Sequence, residues 1–120
     1  MGAALALGAC GQQSGADLAR QACTHVNLAV RDYERSVQPG TAATVVLALQ
    51  RQAEGELRAA LPLAASANSD DGSWNSLMTT ISESATVDEA HLVPALKAQC
   101  VVADTNVNVN PQPSPSSGGS

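Results

Sequence analysis

The feature that most constrains the fold is a row of apolar residues, spaced alternately three and four apart, in the first third of the chain. The row consists of Cys23, Val26, Val30, Tyr33 and Val37. Residues with this spacing share one face of an α-helix, and the charged residues between them lie mainly on the other faces. The pattern predicts an amphipathic first helix. Ser14 and Asp17, three residues apart, are typical of its start.

Further helices are predicted, and turn residues separate them. Pro39-Gly40 marks the first turn, and Thr41 is the expected N-cap of a second helix, which Pro62 should end or kink. The apolar residues of this second helix stand at helical spacing and are Val46, Leu47, Leu49, Ala53, Leu57, Ala60 and Leu61.

The polar segment from residue 68 to residue 72 separates the second helix from a third. The predicted inner face of the third helix consists of Trp74, Leu77 or Met78, Ile81 and Ala85. Thr86 and Glu89 match a capping box that opens a fourth segment, in which Val93, Leu96 and Cys100 share one face. Because Pro94 follows, two alternatives remain open: a short turn with the main helix starting near Val93, or a single kinked helix.

Composition favours helices over sheets. The chain of 120 residues has no Phe, one Trp and one Tyr, and its apolar residues are mostly Ala, Leu and Val. These small side chains favour closely packed helices over a sandwich with an aromatic core. The sequence therefore predicts an all-α fold, a small up-and-down bundle of three to four helices. A net charge of −5 argues against nucleic acid as a partner, because phosphate binding requires clustered Lys and Arg.

Two of the three cysteines lie on predicted apolar helix faces, Cys23 in the first helix and Cys100 in the last. In an up-and-down bundle of four helices, the start of the first helix and the end of the last lie at the same pole. We therefore expect a disulfide between Cys23 and Cys100, worth roughly 4–5 kcal/mol in the chain-entropy model. Two buried free thiols are the alternative.

The third cysteine follows a short apolar segment. Leu7-Gly8-Ala9-Cys10 resembles the bacterial lipobox, in which small residues precede a cysteine that receives a lipid before the signal segment is cut off. The resemblance implies that Cys10 is the lipidation site and that residues 1–9 are a truncated signal segment, since no Lys or Arg precedes Cys10. An ordinary Ala-rich leader is the alternative. Lipidation of Cys10 would leave the other two cysteines as an even pair.

The chain combines a lipobox-like cysteine, a helical bundle with one Cys in its first and one in its last helix, and a Pro/Ser tail. This combination resembles that of small lipoproteins of actinobacteria with no assigned activity. The similarity implies an extracytoplasmic domain that a lipid anchors to the outer face of the cell membrane. We divide the chain into the signal segment (1–9), a linker (10–15), the helical bundle (16–104) and a disordered Pro/Ser/Gly/Asn-rich tail (105–120). The pole that carries residues 39–40 and 86–91 would then face away from the membrane.

No catalytic residue, metal site or cofactor is predicted. Asp70 and Asp71 are interpreted as capping and turn residues, because the segment lacks the ligand spacing of an EF-hand loop. Cys23 and His25 stand about 200° apart around a helix, so they cannot share a metal, and His25 is expected to be exposed to solvent. His91 is expected to be a capping or surface residue, since no nucleophile lies near it in sequence.

These observations favour a cell-envelope interaction or structural module, with the membrane and an envelope protein as its partners and without enzymatic activity. A small carrier that holds an apolar molecule between Ala-lined helices is the alternative, and it predicts a dry cavity. An enzyme is the third hypothesis, and it would need His91 and an acidic residue to converge in a cleft.

Overall fold

A computed structural model describes residues 14–109 of the chain, with side chains as far as residue 105. The described residues form four α-helices: α1 (Gly15–Ser36), α2 (Ala43–Asp70), α3 (Asn75–Ser82) and α4 (Glu89–Val109). Two 3₁₀ turns, Gly72–Trp74 and Glu83–Ala85, lie on either side of α3. The predicted all-α bundle is confirmed. The lipidation site Cys10, the signal segment 1–9, linker residues 10–13 and tail residues 110–120 lie outside the described residues.

Helix α1 begins as the sequence predicts. The Ser14 hydroxyl oxygen accepts a hydrogen bond from the Asp17 amide at 3.1 Å, which satisfies one of the free donors of the first turn. The core-facing side chains of α1 are Ala19, Ala22, Cys23, Val26, Ala29 and Val30. Val37 was wrongly assigned to this face. The helix ends at Ser36, and Val37 is 58% exposed as the C-cap residue.

Thr41, the predicted N-cap of α2, does not cap that helix. The N-cap of α2 is Ala42, which makes no side-chain capping bond. The Thr41 hydroxyl instead donates to the Gln38 carbonyl oxygen at 2.8 Å and thereby closes the turn behind it. Gly40 has a φ of 85°, a conformation that glycine adopts without strain.

Helix α2 packs along α1 through a face of mostly small residues. Its buried residues are Leu49, Ala53, Leu57, Ala60, Ala64 and Ala67. Alanines on both helices allow the two backbones to approach closely, and this pair is the main packing contact of the fold. Leu47, predicted for the same face, is 53% exposed, because a residue two positions from Leu49 points to the opposite side of a helix.

Neither proline inside a predicted helix ends that helix. Helix α2 runs eight residues beyond Pro62, to Asp70, and α4 contains Pro94 as its sixth residue. Each proline removes one backbone hydrogen bond, but both prolines lie on exposed positions where water can reach the freed carbonyl groups. Buried residues on both sides of each proline hold the helix together, and a separate helix starting near Val93 does not form.

Helix α3 and its flanking turns largely follow the prediction. Trp74, Leu77 and Ile81 are buried, whereas Ala85 is exposed because a 3₁₀ turn replaces the last turn of the expected helix. The Asp71 carboxylate accepts a hydrogen bond from the Ser73 amide at 3.0 Å, which lowers the pKa of Asp71 and confirms its capping role.

Helix α4 begins at Glu89, so the predicted capping box is wrong. Thr86 is the C-cap residue of the preceding 3₁₀ turn, and its amide donates to the Glu83 carbonyl oxygen at 2.9 Å. The buried residues of α4 are Leu92, Val93, Leu96, Cys100 and Ala103. The helix continues to Val109, so residues 105–109 of the predicted tail are helical.

A hydrogen bond closes one pole of the bundle, and a disulfide joins α1 to α4 near the middle of both helices. The Gly15 amide donates to the Asp70 carboxylate at 2.7 Å, which joins the start of α1 to the end of α2. Cys23 and Cys100 form the predicted disulfide between α1 and α4, with a Cα–Cα distance of 5.5 Å, and both residues are buried. Within residues 14–109, no helix is long and apolar enough to cross a bilayer.

Candidate functional site

The main candidate site is a cleft of about 610 Å³ where the end of α1, the first half of α2 and the start of α4 meet. We call it the acidic cleft and define it by its lining residues, which are Tyr33, Val37, Gln50, Glu54, Leu57 and residues 84–90. Tyr33 lies ten residues after Cys23 in α1, about 15 Å along the helix axis. The disulfide lies near the middle of α1 and α4, and the acidic cleft lies at the opposite end of the bundle from Gly15 and Asp70.

The connection between α3 and α4 forms one side of the acidic cleft. The 3₁₀ turn at Glu83–Ala85 ends α3, and Thr86 to Asp88 then lead into α4. Helix α4 starts at Glu89, so Glu89 is the first residue of the helix. It lies in the cleft together with residues of α1 and α2. Tyr33, Leu57 and Val87 supply apolar surface to the walls.

The acidic and basic residues that line the acidic cleft are all carboxylic acids. They are Glu54, Asp88 and Glu89, and no Lys, Arg or His is among the described lining residues. Nor does any of the three form an ion pair within the part of the chain that the structure describes. Basic side chains pair with other acids, in Arg20–Asp17, Arg35–Asp32, His25–Glu56 and Lys97–Glu34.

Glu89 is the most perturbed of these acids. Burial, the Glu54 charge and the Asp32 charge, in that order, raise the pKa of the half-buried Glu89 carboxyl to about 7. Its Oε2 atom is inaccessible to solvent and has no hydrogen-bond partner among the described residues. The first turn of a helix favours a negative charge, but burial and two acidic neighbours outweigh that effect. Glu89 therefore gains and loses a proton near neutral pH.

A second, smaller cleft of about 340 Å³ adjoins the acidic cleft and shares Glu54 and Leu57 with it. Arg58 and Leu61 line this neighbouring cleft. The sequence places Glu54 and Arg58 four residues apart, the favourable order for an ion pair along a helix, yet the two side chains form none. The Glu54 carboxylate is thus left without a basic partner between the two clefts.

The two histidines lie apart from the acidic cleft. His25 is half-buried, contrary to the expected exposure, because its Nδ1 atom lies 2.7 Å from a Glu56 carboxylate oxygen across the α1–α2 interface. His91 is exposed and does not line the acidic cleft. The convergence of His91 with an acidic residue, which the enzyme hypothesis needs, is not seen among the described side chains. No group of three metal-ligating side chains occurs in the same part of the chain.

Sequence reasoning missed Glu89 as a site residue. It assigned Glu89 to a capping box, whereas the structure brings it to Glu54 of α2 and Asp32 of α1, which are 35 and 57 residues away in sequence. The available sequence signal was the concentration of acidic residues in the segment from residue 86 to residue 91, beside a predicted turn. Neither a protein-family model nor a curated protein or solved structure matches the chain.

Proposed function

We propose that the protein is a cell-envelope interaction module, anchored to the outer face of the membrane by a lipid on Cys10, whose acidic cleft receives a partner protein. The observation that carries the proposal is the position of the acidic cleft, at the opposite end of the bundle from Gly15. Gly15 follows Cys10 by five residues, so an anchor on Cys10 would keep the acidic cleft directed away from the bilayer.

The disulfide supports an extracytoplasmic site for this module. Disulfides persist in oxidising compartments and are rare in the cytosol, where thiols are kept reduced. The bridge between Cys23 and Cys100 also accounts for two of the three cysteines. Cys10 is then the remaining thiol, which agrees with its assignment to lipidation.

The walls of the acidic cleft favour an interaction module over an apolar-ligand carrier. A carrier of apolar molecules needs an enclosed, dry and mainly apolar cavity. The acidic cleft instead has three carboxyl groups on its walls, beside Tyr33 and Leu57. Such a mixture suits a partner that offers both a polar group and apolar surface.

The anchor is tested by intact mass spectrometry of the protein expressed from its native locus and recovered from the membrane fraction. We expect a chain that starts at Cys10 and carries acyl groups, with two cysteines that react with an alkylating agent only after reduction. The variant Cys10→Ala should lose the membrane fraction and keep the disulfide. An unmodified chain with three free thiols would refute the anchor.

The interaction is tested with a photo-crosslinking amino acid placed in the native protein at Val87, in the acidic cleft, or at Val101, on the exposed side of α4. We expect a discrete crosslinked product from position 87 that is absent at position 101. The double variant Glu54→Gln and Glu89→Gln should reduce this product. Equal crosslinking at both positions would contradict a specific role for the acidic cleft.

A further inference from the structure

We propose that the acidic cleft binds the cationic side chain of a Lys or Arg residue that a partner protein inserts into it. This inference rests on the proposed function and specifies the chemistry of the partner. The cleft of about 610 Å³ carries Glu54, Asp88 and Glu89 on its walls, and no basic residue is among its described lining residues. Its size falls within the range of pockets that hold small ligands.

Charge complementarity is the first argument for a cationic occupant. Asp17, Asp32, Glu34 and Glu56 each have a basic partner in the described structure, whereas the three carboxyl groups of the acidic cleft have none. The charges of Glu54 and Asp32 act on Glu89 and disfavour its ionised form, and an external cation beside Glu89 would offset that effect. Arg58 lies in the neighbouring cleft but makes no ion pair with Glu54.

The spacing of the acids favours an organic cation over a metal ion. A divalent cation requires several oxygen ligands that converge on one point. No three acidic or other ligating side chains converge in this way in the described part of the chain. An ammonium or guanidinium group donates hydrogen bonds in several directions and can therefore interact with carboxylates that are spread around a cleft.

The apolar walls favour a side chain over a free ion. Lys and Arg have aliphatic stems that pack on apolar surface while their charged ends reach polar groups. Leu57 and Val87 supply such surface in the acidic cleft, and Tyr33 adds an aromatic ring of the kind on which cations bind. The unpartnered Glu89 carboxyl stands among these residues.

A cation in the acidic cleft would also change the protonation of Glu89. Burial and the charges of Glu54 and Asp32 hold the pKa of Glu89 near 7, and no Lys, Arg or His is among the residues that line the cleft. The nearest bases on α1 and α2 are Arg35, 3.9 Å from Asp32, and Arg58 in the neighbouring cleft. A bound cation stabilises the ionised carboxylate and lowers its pKa, so binding at neutral pH releases a proton. Affinity for the cation should therefore increase as the pH rises from 6 to 8.

The test uses the full chain with its disulfide and two capped tripeptides that differ only in a central lysine or glutamine between leucines. Calorimetry at pH 8 should show binding of the lysine peptide at least ten-fold tighter than that of the glutamine peptide. Binding of the lysine peptide should change the amide NMR chemical shifts mainly of residues 84–90 and of residues around Tyr33 and Glu54. At neutral pH, the heat of binding should depend on the ionisation enthalpy of the buffer, and Glu89→Gln should abolish that dependence.

The charge-matched control separates the acidic cleft from the net charge of the protein. Glu54→Gln with Glu89→Gln should weaken binding of the lysine peptide at least ten-fold. Asp17→Asn with Asp104→Asn, which removes the same charge from residues toward the other end of the bundle, should weaken it less than two-fold. Equal losses in the two double variants, or equal affinities of the two peptides, would overturn the proposal.

Two further probes distinguish the source of the cation. Tighter binding of free spermidine than of the lysine peptide would overturn the assignment to a protein side chain, and so would tight binding of Ca²⁺. These outcomes are separable from failure of the proposed function. A chain that is acylated at Cys10 and crosslinks through Val87, yet ignores the lysine peptide, would retain the interaction module and refute only its cationic ligand.

Discussion

Folding raises the pKa of Glu89, and the stability of the protein therefore depends on pH. The pKa of Glu89 is 4.5 without the fold and about 7 within it, because of burial and the charges of Glu54 and Asp32. The native state therefore holds the proton more tightly than the unfolded state does. The resulting stabilisation is fully present below pH 4.5 and is lost as the pH rises through 7.

We expect Glu89→Gln to increase the free energy of unfolding by about 1 kcal/mol at pH 8, a value reduced from the full pKa shift because solvent screens a half-buried group. The gain should be much smaller at pH 4.5, where the wild-type carboxyl is protonated in the folded protein. Urea denaturation at the two pH values measures the difference. Glu83→Gln, at an exposed position next to the cleft, is the control, and a similar gain from it would contradict the explanation.

Asp70 is the residue that ties the start of α1 to the end of α2. Its carboxylate accepts a hydrogen bond of 2.7 Å from the amide of Gly15, a buried residue in the first turn of α1. Asp70→Ala should lower the free energy of unfolding by about 1–2 kcal/mol, because it leaves a buried donor without a partner. Thermal unfolding measures this loss. Ser69→Ala, at an exposed neighbouring position, should change the melting temperature little.

At the scale of elements, the close packing of α1 on α2 depends on small side chains. Ala53, Ala60 and Ala64 of α2 are fully buried in the core that also contains alanines of α1. Ala60→Leu would force the helices apart or displace neighbouring side chains, so we expect a loss of about 1–3 kcal/mol. Ala59→Leu adds the same side chain at an exposed position. If both variants were equally stable by urea denaturation, the small-residue interface would not be what limits the helix separation.

The elements that the sequence predicts well are those with local signals. The buried face of α1 follows from residue spacing, and its start follows from Ser14, which lies next to the helix it caps. Pro62 and Pro94 carry equally local signals for a break, yet both helices continue through them. The burial of other residues of α2 and α4 against neighbouring helices outweighs the lost backbone hydrogen bond. This burial energy cannot be deduced from a local sequence pattern.

At the scale of the whole molecule, the disulfide could be predicted from the sequence and the acidic cleft could not. The disulfide follows from topology, because α4 runs antiparallel to α1 and brings Cys100 level with Cys23, near the middle of both helices. The acidic cleft depends on where α4 begins and on which residues of α1 and α2 then face Glu89. Glu54 and Asp32 are 35 and 57 residues away from Glu89 in sequence, so the site could not be predicted without the three-dimensional packing.

The stability of the whole bundle should depend on its disulfide. The bridge closes a loop with a sequence separation of 77 residues and removes many conformations from the unfolded chain. Cys23→Ala with Cys100→Ala should therefore lower the free energy of unfolding by about 4–5 kcal/mol. A small domain has only about 5–15 kcal/mol in total, so the double variant should be close to unfolding at 37 °C.

Urea denaturation followed by circular dichroism measures the loss, and Cys10→Ala is the control because it removes a thiol but keeps the bridge. Both bridging cysteines are buried, so a reductant should act on the wild-type protein only after local opening and should be slow without denaturant. If Cys10→Ala were as destabilising as the double variant, thiol content would explain the effect and the bridge would not. If the double variant lost less than about 1 kcal/mol, helix packing alone would stabilise the bundle, and the acidic cleft would not depend on the disulfide.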